Sequence, residues 1–259
     1  MEIKTKEIIE IVKSTRVISL PKFGNIEVKN YKSEFATDAV TEVDQHVEQH
    51  LKTELKKIMP TVTFVGEEFG GDRNSECFWL VDPIDGTGHY IRGIPFCTTM
   101  LALIKNKQVI FSIIYDFVND DIYHAELGKG AFKNYEKISV SGQPLLGAYL
   151  AFETNFLKDD NEALLTEVRS RTNIINTLSS GYEFVLVATG KIEGRLQYDA
   201  FGKDYDFAPG SLLVSEAGGV VRNFKSEGYD YSDLNFIASN KQVYDELVKS
   251  EQSIEIYMG

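Results

Sequence analysis

Apolar residues recur along this chain with two periods, and the changes from one to the other mark out helices and strands. Residues 4–20 place Ile8, Ile9 and Val12 at helical spacing. From 41 to 58 the pattern is cleaner, with Val43, Val47, Leu51, Leu55 and Ile58 stepping by three and four. Thr41 and Asp44 at the head of that segment resemble a capping box, with Asp in place of Glu or Gln. Two short β-rich runs follow at 62–65 and 78–81, and each ends directly in acidic residues. Runs at 98–104, 108–118 and 121–126 predict further strands, joined by turns such as Asn119-Asp120. The glycine-containing stretch 128–132 predicts an interruption, and 138–140 a resumption of strand.

The second half alternates more regularly. Strands are predicted at 148–152, 174–178, 195–198, 219–224 and 235–238, and helices at 160–170, 182–189, 205–217 and 240–249. Such alternation predicts a layered α/β architecture. No linker rich in Pro, Gly or Ser divides the chain. The expectation is one compact unit over 1–259, with an α+β half at 1–145 packed on an α/β half at 146–259.

Composition narrows the class. The 259 residues are 43% hydrophobic and 25% charged, which excludes disordered and collagen-like chains. No apolar run approaches the ~18 residues of a membrane span. The first seven residues lead into a charged amphipathic segment with no signal-peptide core, so a cytoplasmic location is expected. A formal charge of −12 argues against nucleic acid or anionic lipid as partners. It leaves room for phosphate compounds, provided that metal ions invert the local field. Cys77 and Cys97 are too few for a disulfide framework or a structural zinc site.

The remaining signal is acidic. Carboxylates cluster at strand ends or helix starts in Asp38 and Asp44, Gly66-Glu67-Glu68, Asp82-Pro83-Ile84-Asp85-Gly86-Thr87, and Asp204-Tyr205-Asp206. Taken singly, each has an ordinary explanation: a solvated turn, a first-turn helix acid or an Asp-Gly loop. Jointly, in a chain with few His and Cys, they form the oxygen-donor set that hard cations such as Mg²⁺ take. Asp82-x-x-Asp85 lets two carboxylates converge across a tight turn fixed by Pro83, and Gly86 opens room for a phosphate oxygen beside backbone N–H groups.

These strings carry a resemblance. Trp79-Leu80-Val81-Asp82-Pro83-Ile84-Asp85-Gly86-Thr87 resembles the first defining motif of the inositol monophosphatase family, a lithium-sensitive, Mg²⁺-dependent phosphatase superfamily. Tyr205-Asp206-Phe207-Ala208-Pro209-Gly210, followed by Ser215-Glu216-Ala217-Gly218-Gly219, resembles its second. Phe64-Val65-Gly66-Glu67-Glu68, Asp38-Ala39-Val40-Thr41-Glu42-Val43-Asp44, Val187-Ala188-Thr189-Gly190 and Gly128-Lys129-Gly130-Ala131-Phe132 fit in the right order, so the resemblance spans nearly the whole chain.

The resemblance implies an alternating α-β-α-β-α sandwich of the sugar-phosphatase type, a homodimer, and an inositol-1-monophosphatase of bacterial type. It implies that Glu67, Asp82, Asp85, Asp206 and the Ile84 carbonyl hold two or three Mg²⁺ ions. Gly86 and Thr87 would cradle the phosphate, Thr87 and Asp44 with Glu67 would activate water, and Asp38 would play a supporting part. Asp199 would accept the substrate's hydroxyls as an otherwise unpaired buried carboxylate, with Asp85 and Asp206 sharing that task. The implied reaction is direct attack of water on a phosphate monoester, with no covalent phosphoenzyme.

Two departures bear on substrate rather than on chemistry. Gly88-His89-Tyr90 follows Thr87 where the family has other residues, and Leu178-Ser179-Ser180-Gly181-Tyr182-Glu183 replaces a small-residue segment that lines the substrate. Relatives with the same motifs act on fructose 1,6-bisphosphate, NADP(H) or 3′-phosphoadenosine 5′-phosphate, and these stand as alternatives to inositol 1-phosphate. A cation-binding regulatory protein is the alternative outside enzymes.

Overall fold

The computed structural model describes residues 2–26, 30–31, 39–155 and 157–258. The chain opens with α1 (Thr5–Ser14), α2 (Arg16–Ser19) and a 3-10 turn at Leu20–Lys22. A two-residue pair, β1 (Asn30–Tyr31) with β2 (Ala39–Val40), precedes α3 (Glu42–Ile58). Then come β3 (Thr63–Gly66), β4 (Cys77–Asp85), α4 (Thr87–Arg92), β5 (Thr98–Lys105), β6 (Gln108–Asp116), β7 (Asp121–Glu126), β8 (Gly130–Lys133) and β9 (Glu136–Lys137). The second half runs β10 (Tyr149–Thr154), α5 (Asp159–Arg171), β11 (Asn173–Ile175), α6 (Ser180–Ala188), β12 (Gly194–Tyr198) and α7 (Asp204–Glu216). It closes with β13 (Val220–Asn223), β14 (Phe236–Ser239), α8 (Lys241–Leu247) and a 3-10 turn at Ile254–Tyr257.

Two sheets organise these elements. One has seven strands in the order β3-β4-β5-β6-β7-β8-β9, parallel only between β3 and β4. The other has five in the order β11-β10-β12-β14-β13. Alternate residues of β4 face different cores: Trp79 and Val81 meet α1 and α3, while Phe78 and Leu80 meet α6 and α7. This is why the run reads as continuously apolar rather than alternating. The five-stranded sheet is buried in the same way. Ala151 and Ala238 face α6 and α7, and Leu150, Leu196 and Ile237 face α5 and α8. The layers are therefore helix, sheet, helix, sheet, helix, as the resemblance implied.

Several sequence expectations shift. The interruption expected over 128–132 is confined to the turn before Gly130, where β8 begins. Residues 138–140 are irregular instead of a strand, and the Val140 N–H donates to the Ala217 carbonyl at the end of α7. The tight turn expected over 82–85 is a β-bulge inside β4, where the register against β5 slips between Asp82 and Asp85. The short α4 was hidden behind the motif that opens it. Among the described residues no helix is long and apolar enough to cross a membrane.

Helices α6 and α7 approach closely between the sheets. A Cβ at Gly210 would lie 2.0 Å from the ring of Phe184, which is wholly buried. Helix propensity alone favours Gly210→Ala by about 1 kcal/mol. The clash is with ring atoms packed on all sides, and overpacking of that kind costs about 1–3 kcal/mol. Gly210→Ala should therefore lower the midpoint of thermal unfolding. A raised midpoint would show that the two helices separate freely.

Candidate active site

The bulge in β4 turns two carboxylates to the same side. Asp82 and Asp85 lie with Asp206, on the first turn of α7, so that one ligand oxygen from each falls within 4.8 Å of the others. Glu67, in the turn after β3, is drawn beside them because its N–H donates to the Val81 carbonyl at 3.1 Å. A hydrogen bond links its side chain to Asp82. The structure thus brings together the four acids singled out from sequence.

Asp85 and Asp206 are held at helix starts, and Asp85 also by a neighbouring strand. Asp85 takes the Ser179 hydroxyl at 2.5 Å, the Ser180 and Gly181 N–H groups at 3.0 Å each and the Thr98 hydroxyl at 3.2 Å. Those first three donors form the N-terminus of α6, where N–H groups lack helical partners. Asp206 accepts from the Lys203 N–H at 2.6 Å. One oxygen of Asp82, Oδ1, is buried with no hydrogen-bond partner. Asp82, Asp85 and Asp206 form no ion pair with Lys or Arg among the described residues.

The electrostatics follow from this crowding. Burial pushes the Asp82 and Asp206 carboxyls well above the usual range, and the charges of Glu67 and the neighbouring aspartates push further. Burial raises Asp85 as well, although the hydrogen bonds from Ser179, Gly181 and Ser180 oppose it. A buried, unpartnered carboxylate oxygen among like charges fits a cation. The donors are all oxygen, which suits a hard ion such as Mg²⁺.

A second constellation adjoins the first. Gly86 caps α4 at φ +81°, a left-handed conformation, and a Cβ there would lie 2.6 Å from the Phe96 carbonyl. The next residue, Thr87, directs its hydroxyl at Asp44 Oδ1, 3.1 Å away, and at the Ile84 carbonyl, 2.9 Å away. It has one proton and donates to one of these at a time. Asp44 is the N3 acid of the α3 capping box. Its Oδ2 takes the Thr41 N–H at 2.8 Å and the Thr41 hydroxyl at 2.5 Å, which leaves Oδ1 for Thr87. Burial lifts the Asp44 carboxyl to about 6 despite those hydrogen bonds.

Other expected site residues fall differently. Asp38 lies outside the described residues. Asp199 sits at φ +48° after β12, but it is neither unpaired nor deeply buried. Its side chain is 34% exposed and accepts from Lys158 at 2.7 Å and Asn161 at 3.0 Å, and Lys158 first and then Asn161 hold its carboxyl below the ordinary value. A residue at a strand end reaches neighbouring loops, and here two of them offer donors. His89 Nδ1 bonds the Phe96 carbonyl at 3.0 Å. Since a carbonyl only accepts, that nitrogen carries a proton.

Sequence reasoning missed three supports. Glu48, one turn after Asp44 on α3, accepts the Glu68 and Phe69 N–H groups at 2.7 and 3.0 Å and so fixes the turn that carries Glu67. The i, i+4 pairing of Asp44 and Glu48 on an otherwise apolar face was the available signal. Arg73, beyond that turn, makes a two-pronged bond to Asp204 at 2.8 and 2.9 Å, tying it to the start of α7. In the segment 178–183, which departs from the family's small-residue segment, Ser179, Ser180 and Gly181 hold Asp85. Ser179 ahead of an apolar run was a legible helix cap.

A stability test follows from the raised carboxyls. Groups whose folded pKa exceeds the unfolded value take up protons on folding, so they favour the fold at low pH and lose that contribution as pH rises. For Asp44 the window runs from about 4 to about 6, and Asp82 and Asp206, raised well above the usual carboxylate value, act in the same direction. In EDTA, the unfolding midpoint should fall as pH rises from 5 to 8. Mg²⁺ should restore it most at pH 8. Asp82→Asn should raise the EDTA midpoint at pH 8 and weaken the Mg²⁺ shift. A midpoint that climbs with pH in EDTA would contradict this account.

Known proteins place this arrangement. The model of the inositol monophosphatase family matches residues 3–256. The fructose-1,6-bisphosphatase/inositol-1-monophosphatase of Thermotoga maritima is 28% identical over 249 residues, covering 93% of this chain and 93% of that protein. The crystal structure of the extragenic suppressor protein suhB from Bartonella henselae superposes with a TM-score of 0.85 at 26% identity, covering 98% of this chain and 97% of that one. An IMPase/NADP phosphatase, crystallised with Mg²⁺ and phosphate, shares the fold at a TM-score of 0.82 and 20% identity, over 98% of this chain and 94% of that one. This chain belongs to the inositol monophosphatase family, a metal-dependent family of phosphoric monoester hydrolases.

Proposed function

We propose that this enzyme removes phosphate from a polyol monophosphate, with inositol 1-phosphate as the reference substrate and two or three Mg²⁺ ions as cofactor. The observation that carries the reading is the Thr87–Asp44 hydrogen bond at 3.1 Å, set beside the carboxylate cluster. A protein that merely bound cations would not need it.

Glu67, Asp82, Asp85, Asp206 and the Ile84 carbonyl are the groups to hold the ions. Bound Mg²⁺ supplies positive charge against the phosphate and makes water more acidic. The chain's own share is orientation and proton transfer. The N–H groups of Gly86 and Thr87, at the start of α4, cradle the phosphate. With its proton turned to Asp44, the Thr87 hydroxyl offers lone pairs to a water proton, and Glu67 assists in aligning that water. Asp44, lifted to about 6, is matched to exchanging a proton near neutral pH. Water attacks in line and no side chain becomes phosphorylated.

Asp199 belongs to this reading as a contact to substrate hydroxyls, sharing that role with Asp85 and Asp206. Since Lys158 and Asn161 already engage it, Asp199→Ala should reduce inositol 1-phosphate hydrolysis only several-fold more than aryl phosphate hydrolysis. Equal kcat/KM losses on both would remove it from substrate recognition. Inhibition by lithium, a homodimer and a cytoplasmic location complete the proposal. They are checked by LiCl titration, light scattering and cell fractionation.

A second reading has specific support. The Thermotoga maritima relative carries both fructose-1,6-bisphosphatase and inositol-1-monophosphatase in its name. Phosphate release from inositol 1-phosphate, fructose 1,6-bisphosphate, NADP and 3′-phosphoadenosine 5′-phosphate, compared at equal concentration, separates the candidates.

The mechanism is tested at Thr87. Thr87→Ala should lower kcat about 10²- to 10⁴-fold, the usual range for a lost acid–base contribution. Mg²⁺ affinity, measured by the shift in melting, should stay within a few-fold of wild type. A variant rescued to full rate by excess Mg²⁺ would make the hydroxyl a metal ligand instead. Wild-type turnover surviving EDTA would refute metal dependence.

A further inference from the structure

A second polar array stands beside the carboxylate cluster, on the five-stranded sheet. β10 lies between β11 and β12 and runs parallel to both. The chain leaves β10 toward one side and returns to its other side, so the C-terminal ends of β10 and β12 flank a topological switch point. Layered α/β proteins bind ligands in such crevices. Register pairs Ala151 with Arg195 and Glu153 with Gln197. Glu153, Arg195 and Gln197 therefore project from one face, the face covered by α6 and α7.

Arg195 is wholly buried and nearly saturated. Its Nε donates to Glu183 at 3.0 Å and its Nη1 to Gln197 at 3.1 Å. Its Nη2 donates to Glu153 Oε2 at 2.9 Å and to the Ser180 hydroxyl at 3.1 Å. The rings of Phe184, Phe207 and Phe236 stand 5.0–5.7 Å from the guanidinium carbon. A cation so enclosed cannot swing out to a ligand. What it does is pin Glu153 by one oxygen.

The other oxygen of Glu153 is different. Oε1 takes no hydrogen bond from any described residue, and the side chain is 33% exposed although Arg195 beside it is not exposed at all. The same Arg195 nitrogen reaches Ser180, whose N–H holds Asp85. Arg195 Nη2 and Ser180 thus form a chain of hydrogen bonds that ties Glu153 to Asp85. An acceptor is thus left open near the metal-site aspartate, at the crevice where the alcohol portion of a phosphate ester would lie. One guanidinium faces the two carboxylates Glu153 and Glu183, so the array has no cation to spare for a second phosphate.

We propose that Glu153 is a specificity-determining residue that accepts a hydrogen bond from a hydroxyl of the substrate's alcohol moiety, with Arg195 as its positioning residue. The array selects esters of neutral polyols over compounds that would place another phosphate there. This rests on the polyol-phosphate reading and names the residue that enforces it.

The test compares kcat/KM on inositol 1-phosphate with that on 4-nitrophenyl phosphate, in the full-length enzyme with Mg²⁺. In Glu153→Ala the ratio of the first to the second should fall about 10- to 100-fold, mainly through KM, as expected for a lost bond to a charged acceptor. Glu153→Gln keeps an oxygen for Arg195, and its ratio should fall less, by about 3- to 10-fold. Its relative rate on fructose 1,6-bisphosphate should rise. Melting curves report whether each variant folds, and Glu153→Gln decides if Glu153→Ala does not. A ratio within twofold of wild type overturns the proposal, whether both rates drop together or neither drops, and leaves Glu153 as a structural partner of Arg195. A wild type active on the aryl ester but on no polyol phosphate would refute the underlying reading instead.

Discussion

Like charge held together out of water is the constraint on which this structure turns. Three aspartates present oxygens within 4.8 Å of one another. At an effective dielectric of ~20, each such pair of full charges repels by about 3–4 kcal/mol. Three pairs then approach on the order of 10 kcal/mol, comparable to the whole stability of a typical domain. The cluster cannot be ionised and unaccompanied. It either holds protons, as the raised carboxyls of Asp82 and Asp206 indicate, or it holds cations. The same repulsion that burdens the metal-free fold supplies the affinity for metal.

The scaffold keeps the acids in place by using them as helix caps. Asp44 closes the box at the head of α3, the first turn of α6 donates three hydrogen bonds to Asp85, and Asp206 receives the N–H that precedes α7. The start of a helix presents unpaired N–H groups and the positive end of its dipole, so it stabilises a carboxylate there. Three such starts point at one place. Stabilising the helices and assembling the site are consequently the same set of bonds. The price in freedom is visible at Asp44, whose Oδ2 is committed to Thr41 while only Oδ1 remains for Thr87.

Much of this was legible in the sequence. The three-and-four stepping from Val43 to Ile58 located α3, and the Thr41–Asp44 box located its first residue. The strings around Asp82 and Asp206 identified the acids because the family motif is long. Periodicity, however, reports which face is buried and not what a buried polar group bonds. Arg195 therefore went unread: a charged residue in a strand is expected at the surface, and only three-dimensional contact reveals Glu183, Gln197 and three aromatic rings around it. The pairing of Asp199 went unread for the same reason, since its partners Lys158 and Asn161 lie some 40 residues earlier in sequence. The strand expected at 138–140 failed differently. Its alternation is real, but its Val140 N–H pairs with the end of α7 rather than with a neighbouring strand.

The division of labour between the sheets bears on how one fold serves several substrates. Asp82, Asp85 and the turn bearing Glu67 ride on the seven-stranded sheet, whereas Glu153, Arg195 and Asp199 ride on the five-stranded one. Strand ends on the second sheet can change without moving the ligand oxygens on the first, provided that the helices between them hold. α6 is where that independence stops. Ser180 gives its N–H to Asp85 and its hydroxyl to Arg195, so a single residue couples metal-site geometry to the alcohol side of the crevice. On the proposed roles of Glu153 and Asp199, substrate preference is freest to vary at the C-terminal ends of β10 and β12. It is most constrained at the first turn of α6, where any change in recognition is also a change in the position of Asp85.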